Sequence, residues 1–197
     1  MTTLILFATL LALAVYVIKI ILRLFKHRSI SSLLRIVFII IVLYWIVWMI
    51  FYSISSDKPI SFGTDVCFDD WCATITKVER LGNDNPEFKP KGQYIILHIR
   101  MSNHAKGIAQ KPSEPRVKIE DSDGNTYKYS IEGQQALEKQ RGKQNPIDSK
   151  LELHQSLETQ LIFDIPINSK NLKGVIEEGP FITKLLFYPD REIYLLK

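Results

Sequence analysis

Two long apolar runs within the first 58 residues constrain this chain more than anything else in it. Leu4 to Ile18 carries no charged side chain, and apolar character continues through Lys19 to Phe25. Ile36 to Ile54 carries none either. A helix rises about 1.5 Å per residue, so about 20 residues cross a hydrocarbon layer of about 30 Å. The runs therefore predict two transmembrane helices, spanning about 4–25 and 36–54, and exclude a wholly soluble chain. A pair of buried core helices is the alternative, but two closely spaced runs without a polar face argue against it. The first run opens Met1-Thr2-Thr3 with no basic segment ahead of it. That reads as an uncleaved span rather than a signal peptide.

Charge sets the orientation. The short connection from Lys26 to Arg35 holds Lys26, Arg28 and Arg35 and no acid, with Arg23 just ahead. Short basic loops stay in the cytoplasm, which predicts N-terminus out, loop in and C-terminus out. Tyr44, Trp45, Trp48, Phe51 and Tyr52 crowd the outer half of the second run, as an interfacial aromatic belt does. Residues 1–56 are thus expected to form a hairpin in the cell (inner) membrane. Residues 57–197 are expected to form an extracytoplasmic domain, periplasmic or extracellular.

The sequence pI of about 9.0 belongs to the hairpin. Residues 1–58 hold six basic side chains against one acidic, while the remainder holds 19 against 20. With no surplus of cations to neutralise phosphates, the folded part is not a nucleic-acid binder.

From residue 60 onward, strand signals alternate with turn signals. Ala73–Glu79 alternates with period two, and Tyr94–Met101 forms a longer strand that ends at Asn103. Val117–Glu120 and Thr126–Tyr129 flank Asp121-Ser122-Asp123-Gly124-Asn125, a hairpin turn. Leu151 to Ile165 reads as one long strand or a pair, stopped by Pro166. Leu185–Tyr188 and Glu192–Leu195 follow, and only Glu132 to Arg141 looks helical, bounded by Gly133 and Gly142. The expected fold is two transmembrane helices followed by an all-β sandwich.

Three of these pieces carry a resemblance: Tyr94–Asn103, Val117–Tyr127 with its Asp-x-Asp-Gly turn, and Phe163-Asp164-Ile165-Pro166. In that order they resemble a bacterial family of immunoglobulin-like ectodomains of unknown function, common on lipoproteins and membrane-anchored proteins. The match covers roughly residues 60–190. The resemblance implies an immunoglobulin-like fold and a location outside the membrane, and it brings no catalytic residues with it.

Cys67-Phe68-Asp69-Asp70-Trp71-Cys72 is the most unusual segment, and it contains both cysteines of the chain. On the outer side of a membrane the pair favours a disulfide across a hairpin tip. Free thiols and a redox pair are the alternatives, although a redox pair wants two intervening residues in a βα setting. Metal binding would need two more ligands, and none stands at useful spacing. Two readings of the tip follow. Either Asp69, Asp70 and Trp71 form a contact surface for a partner, since aromatics anchor interfaces, or Trp71 belongs to the core.

The Asp121–Asn125 turn lacks the closing Glu of a calcium loop. His27, His98, His104 and His154 offer no triad, and neither a Gly-x-Ser-x-Gly elbow nor a phosphate loop is present. The expectation is a non-enzymatic module without cofactor or metal. Its partners would be the bilayer and a protein outside the membrane. The alternative is an accessory subunit whose hairpin packs against a larger membrane complex, the ectodomain serving as a cap. The absence of Gly from both runs weighs against tight helix packing and favours the first.

Overall fold

The computed structural model describes residues 2–25, 29–54, 57–81, 90–179 and 191–196, with backbone alone for 2–7, 24 and 51–54. The expected strand at Leu185–Tyr188, the loop cations Lys26 and Arg28, and the side chains of Phe51 and Tyr52 lie outside the described residues. The chain divides into two compact units, one containing the N-terminal helices and the other beginning at Asp57.

In the first unit, α1 (Thr2–Phe25) and α2 (Ser31–Ile54) are each 24 residues long. Arg23 closes the turn between them, donating to the Ser29 carbonyl and to Ser32 Oγ at 3.3 Å each. Among the described residues one stretch, Ser31–Ile50, is long and apolar enough to cross a membrane, with a mean hydropathy of 2.7. Only 6% of that stretch is buried, and Phe38, Ile39, Leu43 and Met49 are each more than half exposed. A soluble core helix would hide such side chains.

In the second unit nine strands are described. They are β1 (Lys58–Ile60), β2 (Val66–Phe68), β3 (Trp71–Leu81), β4 (Gln93–Asn103), β5 (Arg116–Glu120), β6 (Thr126–Tyr127), β7 (Ser156–Ile165), β8 (Lys173–Glu177) and β9 (Glu192–Leu195). One sheet runs β2-β3-β4-β7 and the other β1-β9-β8-β5-β6, antiparallel throughout except where β1 lies parallel to β9. Alternate residues of β4 (Ile95, Leu97, Ile99 and Met101) face inward and meet Ile119, Ile176 and Tyr194 of the other sheet in one core. The fold is a β-sandwich.

The expected strands at residues 73–79, 94–101, 117–120 and 192–195 are present. Leu151 to Ile165 resolves into a bridge from Leu151 to Gln110, a turn with His154 at φ 58°, and β7. Strand β8 was not anticipated. Its pattern is interrupted by Gly174, where a Cβ would stand 2.6 Å from the end of the Ile75 side chain across the core, so any larger residue would have to displace that side chain.

The outer face of β4 and β7 carries a second cluster, in which Leu137 of α3 (Ile131–Arg141) packs on Tyr94, Ile96 and Ile162. Ser130 caps this helix, its side chain accepting from the Gly133 N–H. Gly133 therefore sits inside the helix rather than bounding it. A Cβ there would approach Ile162 to 3.0 Å and Tyr94 to 3.1 Å, so the glycine lets the helix lie close to the sheet.

Candidate functional site

The two-residue turn Asp69-Asp70 joins β2 to β3, with Asp69 in the left-handed region at φ 52°. The register sets Phe68 opposite Trp71 and Cys67 opposite Cys72. Beside a two-residue turn the closing pair exchanges hydrogen bonds. The next pair then falls at the close position, where Cα atoms lie about 4.5 Å apart. Cys67 and Cys72 occupy that position with Cα atoms 4.0 Å apart, and they form a disulfide. Asp69 and Asp70 are exposed at the tip, and Phe68 is half-buried.

Trp71 is not part of that surface. It is 1% exposed and packs in the main core, because Trp71, Ala73 and Ile75 are the alternate, inward residues of β3. Of the two readings of Trp71 the structure takes the core one, and the candidate contact surface contracts to Asp69 and Asp70.

Behind the tip lies a cluster that sequence reading missed. The Arg100 guanidinium donates to Asp65 Oδ1 at 3.3 Å, and His104 Nε2 lies 3.7 Å from Asp65 Oδ2. Ser102 Oγ stands 3.0 Å from the same His104 nitrogen. The backbone N–H of His104 donates to the Asp70 carbonyl at 2.8 Å, tying the cluster to the tip. In a Ser-His-Asp triad the serine and the carboxylate meet opposite nitrogens of the ring. Here both meet Nε2, and Ser102 is only 7% exposed. The alternation of β4 places Arg100 and Ser102 on one outer face, but nothing local in the sequence indicates Asp65.

Further along the same face, a bulge in β3 sets Thr76 out of register opposite His98. Thr76, His98, Ile99, Gln144, Glu158, Thr159 and Gln160 line a small polar cavity of about 60 Å³ there. Arg141 grips Glu79 with contacts of 2.5 and 3.1 Å, and His98 Nε2 lies 3.2 Å from the same carboxylate. The Arg141 guanidinium holds the Glu79 carboxyl at a pKa of about 2, below the ordinary 4.5, against the opposing effect of burial. The cavity is of a size for ordered water. Among the described residues no group of three or more His, Cys, Asp or Glu is placed to hold a metal ion.

The residues that carry the sequence resemblance do structural work. Asn103 is 2% exposed. Its amide donates to the carbonyls of Ile108, Leu151 and Glu152, and its oxygen accepts from the Ala105 N–H. Asp164 accepts from the N–H groups of Lys91 and Gly92 at 2.8 and 2.9 Å. Asp121 accepts from the Asp123 and Asn125 N–H groups, the Asn125 amide and the Tyr127 hydroxyl. Those bonds, led by the one from the Asn125 side chain, lower its pKa to about 2. Its oxygens are committed to the chain's own donors, so the loop is a turn and not a cation site.

No curated protein matches the chain. Solved structures that resemble it include a conserved hypothetical protein from Bacillus anthracis, with TM-score 0.46 and 15% identity, covering 59% of this chain and 88% of that one. The secreted protein MPT63 from Mycobacterium tuberculosis has TM-score 0.47 and 11% identity, covering 72% and 99%. The yjhA protein from Bacillus subtilis has TM-score 0.47 and 13% identity, covering 70% and 99%. Likenesses this distant carry no function across. A family model, by contrast, matches residues 61–184, well over half of the chain and nearly all of the sandwich. The chain belongs to the DUF4352 family, a domain of unknown function.

Proposed function

We propose that this chain is a membrane-anchored interaction module. The helical hairpin, residues 1–56, holds an immunoglobulin-like sandwich, residues 57–197, outside the cytoplasmic membrane. There the sandwich engages a protein partner without catalysing a reaction. The observation that carries the reading is the Cys67–Cys72 disulfide at an exposed tip, since such bonds persist in oxidising compartments. Three further features support it. The apolar side chains of α2 stand bare, as lipid-facing ones do. Tyr44, Trp45 and Trp48 form a chain of edge-on rings with centroids 6.4 and 5.6 Å apart, suited to a membrane interface. The strand order also agrees with an immunoglobulin-like sandwich, in which strands A, B and E share one sheet and C, F and G the other. Here β3, β4 and β7 share one, and β5, β8 and β9 the other, with α3 standing where strand D would be.

The second reading, an accessory subunit of a larger membrane complex, is favoured by one feature of the hairpin. Ala8, Thr9 and Ala12 of α1 face Ile40, Leu43, Tyr44 and Val47 of α2 across an open groove of about 320 Å³. Small residues of this kind admit close helix approach even without glycine. Photo-crosslinking residues placed at Asp69, Asp70, Ala8 or Ala12 in intact cells separate the two. A reproducible adduct from the tip supports the module, and one from the helix positions alone supports the subunit. No adduct from either overturns both.

A further inference from the structure

A sheet edge presents a row of backbone N–H and C=O groups, and what covers them decides whether another strand can add. The sheet β2-β3-β4-β7 has two long edges, and they are finished in opposite ways. Along β7 every outward group from the Glu158 carbonyl to the Ile162 carbonyl is taken. The Asn145 amide donates to the Glu158 carbonyl, and the Gln144 side-chain oxygen accepts from the Gln160 N–H. The Gln134 amide spans the Gln160 carbonyl and the Ile162 N–H, and the Ser130 N–H donates to the Ile162 carbonyl.

Along β3 the cover stops early. Strand β2 pairs only with Trp71 to Ala73, and the Gly63 N–H takes the Ile75 carbonyl. Outward residues alternate along a strand, and the bulge shifts the count by one because Thr76 and Lys77 together oppose His98. The next outward residues are Val78 and Arg80. Among the described residues nothing bonds their backbone N–H or C=O groups.

We infer that this bare half of β3 is a self-association edge, where two copies of the chain pair antiparallel about a two-fold axis at Val78 and join their sheets. The side chains select the occupant and the register. An axis at Val78 sets the outward Val78 groups of both copies to exchange two hydrogen bonds. It also sets Lys77 of each copy opposite Glu79 of the other. Opposite charges facing each other across strands attract, and the two-fold provides that pair twice. Lys77 is exposed and makes no ion pair of its own among the described residues, so it is free to do this. An axis at Arg80 would oppose Arg80 to itself. An axis at Glu79 would pair the outward Val78 with Arg80 of the other copy, but it would set the two Glu79 carboxylates directly opposite each other, where like charges repel. One register remains, and the capped β7 edge prevents the joined sheet from growing further at that end. The inference stands apart from the acidic tip and from the anchoring of the hairpin.

The test uses the full chain in detergent micelles, followed by sedimentation and light scattering over a range of concentrations. A reversible dimer is expected. Lys77→Glu turns both attractions into repulsions and should raise the dimer dissociation constant about tenfold or more, with the monomer's melting temperature unchanged. Val78→Pro removes an N–H that has no partner within one chain and should also abolish the dimer. Where Val78→Pro folds poorly, Lys77→Glu decides alone. Both native cysteines are committed to their disulfide, so an introduced cysteine supplies a single free thiol. A mixture of Lys77→Cys and Glu79→Cys chains should crosslink on mild oxidation, while neither variant does so alone. A wild-type chain that stays monomeric at every concentration overturns the inference. So does a dimer indifferent to Lys77→Glu, or a Lys77→Cys chain that crosslinks in membranes only to a different protein.

Discussion

Trp71 shows how one side chain's direction changes what a segment can do. Its ring packs in the core beside Phe68, with centroids 6.1 Å apart, and its indole N–H has no partner among the described residues. Trp71→Ala should therefore cost about 3–5 kcal/mol of stability, as large-to-small core substitutions do. Trp71→Phe should cost far less, because the lost N–H satisfied nothing. Denaturant unfolding read by near-ultraviolet circular dichroism distinguishes these outcomes, and small losses for both variants would put the ring outside the core. Glu79 makes a prediction in pH. Its carboxyl titrates at about 2 in the folded chain against an ordinary 4.5, so the unfolded chain takes up protons first as pH falls. The stability it contributes is present above pH 4.5 and is lost progressively down to about pH 2. Solvent reaches this pair, so the amount is about 1 kcal/mol or less. Glu79→Gln should unfold more readily than wild type at pH 7, and the difference should close at pH 2. A gap that persists at pH 2 would mean the loss came from packing rather than charge.

At the scale of elements, α3 and the segment after it serve mainly to finish the edge of β7. Gln134 spans two backbone groups of that strand, and Gln144 holds a third. Gln134→Ala should cost about 1 kcal/mol, the net value of a typical hydrogen bond, with water recovering part of what is lost. Gln134→Ala with Gln144→Ala should cost more and also raise aggregation at high concentration, because the freed edge can pair with other chains. Light scattering after gentle heating measures this, and an unaltered aggregation rate would show that helix packing alone protects the edge. Such edge capping lies beyond local reading, since Gln134 meets a strand 26 residues away and Arg141 meets Glu79 at a separation of 62. What was legible was whatever repeats locally. The alternation of β4 gave its buried face, and the cysteine spacing gave the disulfide. The Asp-Gly turn gave its hairpin. Strand β8 was obscured because Gly174, which reads as a breaker, sits within the strand where the Ile75 side chain closes on it from across the core. Trp71 was ambiguous because six residues around a turn do not reveal which face the turn selects.

For the whole molecule, the chemistry of its signature and the chemistry of its surface point to different residues. Asn103, Asp121 and Asp164 spend their polar atoms on the chain's own backbone, so the features that mark the family build the sandwich and leave its role unassigned. A role is then to be sought where polar groups face outward, and the stapled tip is the first such place. The disulfide closes a short loop, and the chain-entropy model gives it about 2 kcal/mol. That is too little to hold a sandwich whose core joins both sheets, so Cys67→Ser should fold with a modestly lower melting temperature. The tip itself should loosen, with faster amide exchange at Phe68 to Trp71 and little change in β4. Location decides whether the bond forms at all. In intact cells whose outer layers admit the reagent, a membrane-impermeant maleimide should label an added cysteine at Asp69 in the Cys67→Ser, Cys72→Ser background. A cysteine at Ser29 between the two helices should stay unlabelled until the membrane is opened. The opposite pattern would place the sandwich in the reducing compartment, where the disulfide would not persist, and the orientation and the tip would fall together.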